Sequence, residues 1–214
     1  MIAILTGDII HSSKLKDQGL WLQPLKAYFN EWGNTPSKWE IFRGDSFQLE
    51  IEDPTLALQA ALHIKAIIKS VSSDKDTKRN SVIDVRMAIG IGEKTHDASN
   101  ISESNGSAFV NSGQRFESLK KEKSTLAIKS PWSSFDKEMN LIIKLAAIQM
   151  DSWSISSGEL MQSILSKPDH NQQQIGQELG IEQNSVSGRY KRANVDEILE
   201  MERMYRDKLK HFQQ

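Results

Sequence analysis

Apolar and polar positions along the first half of the chain follow the periods of strands and helices. An apolar run at 2–6 predicts a buried strand, and the apolar residues within 21–32 have helical spacing. Two extended runs follow, Trp39–Phe42 and Phe47–Ile51, and the Gly44-Asp45 pair between them has the chemistry of a tight turn. The pattern therefore predicts a strand, a helix and a β-hairpin that carries an acid at its tip.

A second helix is predicted directly after the hairpin. Asp53 precedes it as the N-cap, Pro54 occupies its first position, and one apolar face runs from Ala57 to Val71. A polar loop, a strand, a helix and a short strand are then predicted at 72–80, 82–92, 107–122 and 125–129. The order β-α-β-β-α-β-α-β predicts an α+β fold.

The chain changes character after Pro131. Residues 133–153 predict one long helix with a mostly apolar stripe, and 170–193 predict two short helices joined by a turn at Gly180. An amphipathic helix at 195–214 completes the pattern. We therefore predict three parts: a first domain at 1–130, a connecting helix at 131–153 and an all-α domain at 154–214.

Composition narrows the classes of function. The 214 residues suffice for two units, and a net charge of -1 predicts no general polyanion binding, so any nucleic-acid surface has to be local. The absence of cysteine excludes disulfides, thiolate zinc sites and cysteine nucleophiles. Because no apolar run resembles a signal peptide or reaches membrane-spanning length, we expect a cytoplasmic protein that does not enter a membrane.

The segment 170–193 has the residues of a helix pair that reads DNA. The first helix can brace the second, whose exposed face can enter a major groove. Asn and Gln side chains pair with adenine, whereas Arg and Lys neutralise phosphates. The stretch resembles the helix-turn-helix of sigma-factor region four and of many bacterial transcription regulators; the alternative is a small helical module that packs on a partner. The candidate DNA contacts in the second helix are Gln183, Asn184, Ser187, Arg189, Lys191 and Arg192.

Two Gly-Asp pairs lie in the first domain, Gly7-Asp8 near the end of the first strand and Gly44-Asp45 in the hairpin. If these strands are sheet neighbours, both carboxylates can approach one point and hold a hard divalent cation, which also relieves their mutual repulsion. Without a cation, each aspartate is a strand-end or turn carboxylate, since Gly-Asp is common turn chemistry. Both interpretations remain open at this point.

Asn111 and Arg115 are four residues apart, so a helix places them on one face. An amide and a guanidinium together can stabilise negative charge on a transferring phosphoryl group. On an amphipathic helix the same two residues are equally ordinary surface polar groups. Arg43, beside the hairpin glycine, can likewise point to solvent or contact a phosphate.

Four segments occur in an order and spacing that resemble class III nucleotidyl cyclases. They are "AILTGDIIHS", "FRGDSFQLEIEDPTLALQAALHIKAII", "VRMAIGIGEKT" and "GSAFVNSGQRFESL". Within that group, the chain resembles bacterial SatD-like proteins. The resemblance covers residues 1–130 and depends on the four ordered segments together rather than on any single motif.

The resemblance implies a ferredoxin-like, nucleotidyl cyclase-like βαββαβ domain that binds a nucleoside triphosphate or another nucleotide. It implies Mg²⁺ or Mn²⁺ bound by Asp8 and Asp45, with Asn111 and Arg115 stabilising the phosphates during catalysis. Because such cyclases place these two pairs on opposite subunits, it also implies a homodimer with two symmetric sites. The residues that would contact the nucleotide are Gly7, Ile9, Arg43 and Gly44.

The chain departs from the cyclase pattern at the residue that selects the base. The family's purine-selecting lysine precedes the hairpin Gly-Asp, where this chain has Ile41 and Phe42, and a later phosphate-contacting lysine has no evident counterpart. Whether the chain is an enzyme therefore stays open. The leading hypothesis is a transcriptional regulator that binds DNA through its helix-turn-helix and a nucleotide with a divalent metal through a cyclase-like sensor domain. The alternatives are an active nucleotidyl cyclase that makes a cyclic nucleotide, and a degenerate cyclase-fold scaffold for dimerisation.

Overall fold

A computed structural model describes residues 1–72 and 79–213 of the chain. Within those residues it contains a five-stranded mixed sheet and eight α-helices, which confirms the α+β class. Most of the predicted loop at 72–80 lies outside the described residues. The elements of the first part are β1 (Ile2–Ile10), α1 (Gly19–Asn30), β2 (Trp39–Phe42), β3 (Ser46–Ile51), α2 (Ala57–Lys69), β4 (Asp84–Gly92), α3 (Ser107–Glu122) and β5 (Leu126–Lys129). The elements of the second part are α4 (Ser133–Asp151), α5 (Ile155–Ser166), α6 (Gln172–Leu179), α7 (Gln183–Ala193) and α8 (Val195–Phe212).

The sheet has the strand order β2-β3-β1-β4-β5. Within β2-β3-β1-β4 each pair of neighbouring strands is antiparallel, and β5 runs parallel to β4. The central strand β1 pairs with β3 on one side and β4 on the other, so Asp8 lies opposite Ser46 and also opposite Arg86. The middle of the sheet therefore brings the first Gly-Asp pair beside two other strands.

The two faces of the sheet pack against different helices. Leu5 and Ile9 of β1 point into a large buried cluster that also contains residues of α1 and α2, whereas Ile4 packs against α3 on the opposite face. Helix α3 lies very close to β4, because a Cβ placed on Gly90 would be 2.2 Å from the backbone nitrogen of Ser112. Glycine at that position permits the close packing of the helix on the strand.

Helix α2 is buried on every side. Its predicted N-cap is present, since the Asp53 carboxylate accepts a hydrogen bond from the Thr55 backbone amide at 2.9 Å, although the first turn is a 3-10 turn and α2 itself begins at Ala57. The predicted apolar face packs toward the sheet, and α5 and α8 contact α2 as well. A helix covered all round is expected between two packed layers rather than at a surface.

Two lysines of α2 are buried in an ion-pair network. The Lys65 ammonium lies 2.6 Å from a carboxylate oxygen of Asp84 and 2.6 Å from one of Asp151, and Thr125 also donates to Asp151. Lys69 donates to the backbone carbonyl of Asp151 at 2.8 Å. The network joins α2, β4 and the end of α4, so it links the sheet to the helices that follow it.

The C-terminal helices share the core of the sheet. One continuous buried apolar cluster extends from Ala3 in β1 to Leu209 in α8. Helix α4 also covers the outer edge of β5, because the Asn140 amide bonds both the amide and the carbonyl of Ile128 at 2.8 Å. The second part of the chain therefore packs directly on the first. Among the described residues, none forms a helix that is both long and apolar enough to cross a membrane.

Candidate functional site

Asp8 and Asp45 occupy neighbouring positions at one end of the sheet. Asp8 is in register with Ser46, and the backbone amide of Ile9 donates to the carbonyl of Asp45 at 3.0 Å. The sequence predicts a shared carboxylate site if β1 and the hairpin are neighbours in the sheet. The structure meets that condition.

Asp8 is held by an arginine from the strand on its other side. Arg86 donates from Nε to Oδ1 at 3.1 Å and from Nη2 to Oδ2 at 2.7 Å, and both side chains are only 21 % exposed. The guanidinium also lies 5.7 Å from the ring centre of Phe116. Both carboxylate oxygens of Asp8 are thus engaged in a two-pronged pair, the strongest arrangement for these groups.

Both aspartates already have partners within the chain. Arg86 already supplies the positive charge that Asp8 needs, and Asp45 Oδ2 accepts a hydrogen bond from the Ser12 hydroxyl at 2.8 Å. No group of three or more His, Cys, Asp or Glu side chains suited to a metal occurs in the ranges 1–72 and 79–213. A magnesium or manganese ion at this place would have to share the Asp8 carboxylate with Arg86 or displace it.

The predicted nucleotide contacts divide between the core and the hairpin tip. Ile9 is buried in the core, and a Cβ on Gly7 would lie 2.4 Å from the Phe47 ring, so glycine there makes room for an aromatic side chain. Arg43 and Gly44 lie at the exposed hairpin tip, with φ angles of 54° and 88°. Gly7 and Ile9 could therefore reach a ligand only through their backbones, whereas the Arg43 side chain is free to do so.

Asn111 and Arg115 lie on α3, and each is engaged within the chain. Asn111 donates from Nδ2 to the Ile91 carbonyl at 2.9 Å. Arg115 makes two hydrogen bonds to Glu122, at 2.6 and 3.0 Å, and these hold the pKa of the Glu122 carboxyl below its usual value. The hydrogen bonds of the described residues do not connect either side chain to Asp8 or Asp45.

Helices α6 and α7 form a tightly joined pair. The Asn171 side chain caps α6 in a reciprocal box with Gln174, with bonds of 3.0 and 2.9 Å, and Gly180 ends the helix with a φ of 64°. A Cβ on Gly176 would lie 2.8 Å from the carbonyl oxygen of Ile181, so α6 approaches the turn at van der Waals distance. Val186 of α7 is completely buried beneath this contact. A compact turn needs a residue that tolerates the left-handed conformation at the helix end, which is Gly180, and a residue without a side chain at the close approach, which is Gly176.

The outward face of α7 is polar and basic. Its buried side is formed by Val186 and Ala193. Arg189 turns away from the outward face and donates to Glu159 of α5 at 2.8 Å. The candidate contacts that remain on the outward face are the exposed Gln183, Asn184, Lys191 and Arg192, with Ser187 partly exposed between them.

Two parts of this arrangement are not predicted from the sequence. They are Arg86, which pairs with Asp8, and helix α5, which packs beneath α7. A signal existed for Arg86, since a lone arginine within the predicted apolar strand 82–92 matches a lone aspartate within the first strand. For α5, Leu160, Met161, Ile164 and Leu165 have helical spacing, but the preceding serines conceal it.

Comparison of the chain with protein-family models, curated proteins and solved structures finds no match.

Proposed function

We propose that the protein is a DNA-binding regulator in which α6 and α7 form a helix-turn-helix and α7 enters the major groove. The observation that carries the proposal is the division of α7 into two sides. One side is locked onto α6 and α5 through Val186 and Arg189, and the other presents amide and basic side chains to solvent. A rigid helix with an exposed polar and basic face is what major-groove recognition requires.

The chemistry of the outward face supports separate roles along α7. Gln183 and Asn184 lie in its first turn, where a recognition helix meets base edges, and both side chains can pair with adenine. Lys191 and Arg192 lie in the last turn and suit phosphate contacts, which provide affinity without sequence preference. Arg189 has a positioning role in this proposal, because its guanidinium ties α7 to α5.

For the first part of the chain, we propose a ferredoxin-like arrangement that serves as a sensor and dimerisation unit. The antiparallel order β2-β3-β1-β4, with α1 and α2 as the connections, supports this proposal. A two-fold dimer would present two α7 helices to symmetric half-sites. The Asp8–Arg86 pair favours a regulatory role over catalysis, because the cyclase reaction needs Asp8 available to metal.

An active nucleotidyl cyclase is the second candidate, and the adjacency of Asp8 and Asp45 is the observation that favours it. Incubation of the purified chain with the four nucleoside triphosphates and Mn²⁺ tests it directly. Release of pyrophosphate that Asp45→Ala abolishes would establish catalysis, whereas no pyrophosphate would exclude it.

Binding of the full chain to a pool of genomic DNA fragments, followed by sequencing of the retained fragments, tests the DNA-binding proposal. We expect a shared sequence motif among the fragments, with half-sites related by two-fold symmetry. Asn184→Ala should keep binding but relax the preference at one position, at a cost of about 1–3 kcal/mol in discrimination. Retention of no fragment above the level of an empty matrix would contradict the proposal.

A further inference from the structure

Helix α4 has an apolar row on its solvent side, which we call the outer stripe: Leu141, Leu145 and Ile148. These side chains are 61 %, 61 % and 73 % exposed, the highest values among the large apolar side chains of residues 1–72 and 79–213. Their spacing of four and three residues places all three on one face of the helix. Single exposed apolar side chains are ordinary, whereas a contiguous row of them marks a contact surface.

The opposite face of α4 is apolar as well, and it is already buried. Phe135, Met139 and Ile143 on that face belong to the core cluster that extends through the sheet. A helix that is apolar on opposite sides is expected to be covered on both. Helix α2 meets this expectation, with the sheet on one side and α5 and α8 on the other. For α4, the part of the chain that the structure describes provides no cover over the outer stripe.

The two ends of the outer stripe carry opposite charges. Lys137 precedes the stripe and is exposed, and Asp151, whose side chain is 37 % exposed, follows it. The two residues are two heptads apart, so they lie on the same flank of α4. Glu138, next to Lys137, is already paired with Lys208 of α8. One flank of the stripe is therefore positive at its beginning and negative at its end.

The Asp151 carboxylate has room for another cation. Lys65 and Thr125 both bond its Oδ1, at 2.6 and 2.7 Å. Its Oδ2 has no hydrogen-bond or ion-pair partner among the described residues. A lysine brought to the end of the stripe from another molecule can therefore pair with Oδ2 without displacing Lys65.

We propose that α4 packs through its outer stripe, antiparallel, on α4 of a second copy of the chain. A two-fold contact of this kind places Leu141 of one copy against Ile148 of the other, with Leu145 beside the axis. It also brings Lys137 of each copy to Asp151 of the other. A parallel pair would instead align like charges at both ends of the stripe, which is unfavourable.

The contact between the copies is weak. One face of α4 is smaller than the roughly 800 Å² per partner that a standard interface buries. Two Lys144 side chains also lie near the axis, although each is close to Glu122 of α3, since Arg115 and then Lys144 lower the pKa of the Glu122 carboxyl. A dissociation constant on the order of 10 µM is therefore expected rather than a nanomolar one.

Pairing through α4 would set the positions of the two α7 helices. Gln149 of α4 donates from Nε2 to the Arg192 carbonyl at 2.8 Å, and the indole of Trp153, just after α4, donates to the Ala193 carbonyl at 3.1 Å. Helix α4 also covers β5 through Asn140, so the same contact joins the first parts of the two chains. This consequence for DNA rests on the proposed function, whereas the contact between the copies does not.

Sedimentation equilibrium of the full chain, without DNA, tests the inference. We expect a monomer–dimer equilibrium that Leu141→Gln/Leu145→Gln weakens at least about tenfold, with the melting temperature of the monomer unchanged because both side chains are exposed. Val110→Gln, at an exposed apolar residue of α3, is the matched control and should leave the equilibrium unchanged. A wild-type chain that stays monomeric at about 100 µM would overturn the inference, as would a double variant that dimerises like the wild type.

Single cysteines test the antiparallel arrangement. Because the chain has no cysteine, Leu145→Cys and Leu141→Cys each introduce one unique thiol. Across an antiparallel pair the two thiols at position 145 lie beside the axis, whereas those at position 141 are separated by about 10 Å along the helices, too far for a disulfide. Oxidation should cross-link Leu145→Cys and not Leu141→Cys; equal cross-linking of both would refute the arrangement. Since neither experiment contains DNA, a failure here is distinct from a failure of DNA binding.

Discussion

Arg86 and Asp8 face each other across β4 and β1 and are joined by two hydrogen bonds, of 3.1 and 2.7 Å. The pair occupies the place where the cyclase resemblance implies a metal ion. A guanidinium from the same chain neutralises Asp8 in this arrangement. Arg86 therefore compensates the charge of Asp8 without a cation.

Arg86→Gln should expose the latent acidic site. With the guanidinium removed, Asp8 and the neighbouring Asp45 repel each other unless a cation intervenes, so Mn²⁺ should raise the melting temperature of this variant. The wild-type protein should show little or no such shift. The double variant Arg86→Gln/Asp8→Asn is the matched control and should lose the response; a wild-type shift as large as that of the variant would show that Arg86 does not block the site.

Two glycine substitutions should change stability in opposite directions. Gly176→Ala places a Cβ 2.8 Å from the Ile181 carbonyl, so α6 has to move from the turn, at a cost of about 1–3 kcal/mol. Gly113→Ala, in the middle of α3, meets nothing within 4 Å and should stabilise the protein by about 0.5–1 kcal/mol. Denaturant unfolding of both variants checks this; equal effects would mean that the close approach at Gly176 is not a constraint.

The buried ion-pair network should contribute strongly to stability when only one partner is removed. Lys65→Met removes the buried ammonium from Asp84, which keeps Lys69 at 3.4 Å, and from Asp151, whose side chain is 37 % exposed, and should cost about 1–3 kcal/mol. Lys208→Met removes an ammonium paired with Glu138 at the surface and should cost less than about 1 kcal/mol. Urea denaturation at neutral pH compares the two, and a similar small loss in both would show that the network is dispensable.

His63 should make stability decrease in mildly acidic solution. Its ring packs on Tyr28, with centroids 4.2 Å apart, and burial lowers its pKa to about 4. Because a histidine in the unfolded chain has a pKa of about 6.5, the unfolded state binds the proton first, and the folded state loses stability as pH falls from about 6.5 to about 4. The loss should approach about 1.4 kcal/mol per pH unit at its steepest and cease below the folded pKa.

The pH dependence of urea unfolding measures this effect. His63→Leu should be less sensitive to pH between about 4 and 6.5 than the wild type, because the buried titrating group is gone. His211→Gln, at an exposed histidine, should retain the wild-type dependence. Parallel curves for wild type and His63→Leu would show that His63 is protonated equally well in both states.

Local patterns predicted most elements, but not the contacts between them. Helix α3 begins and ends at the residues that its spacing predicts, Ser107 and Glu122. The first strand extends beyond its apolar run to Ile10, since Asp8 has partners on both neighbouring strands. Sequence periodicity does not specify which residues of neighbouring strands lie opposite each other. The partner of Asp8 therefore follows only from the arrangement of the strands in the sheet.

The same limitation applies to the helices. The sequence predicts one buried face for α2, and the second is buried only because α5 and α8 fold back onto it. Arg189 lies within a basic cluster, and the sequence predicts it as a DNA contact. In the structure its guanidinium forms an ion pair with Glu159 of α5. A charge on an amphipathic helix can face solvent or a neighbour, and only the packing of the whole chain decides which.

The salt dependence of DNA binding tests the central claim most directly. If α7 contacts phosphates through Lys191 and Arg192, the double variant Lys191→Ala/Arg192→Ala should bind more weakly, and its log–log salt slope should fall in magnitude by about 2. Lys14→Ala/Lys16→Ala removes the same charge from exposed positions in the first part of the chain and should leave the slope unchanged. Equal slopes for both double variants, or no salt-dependent binding by the wild type, would contradict the account.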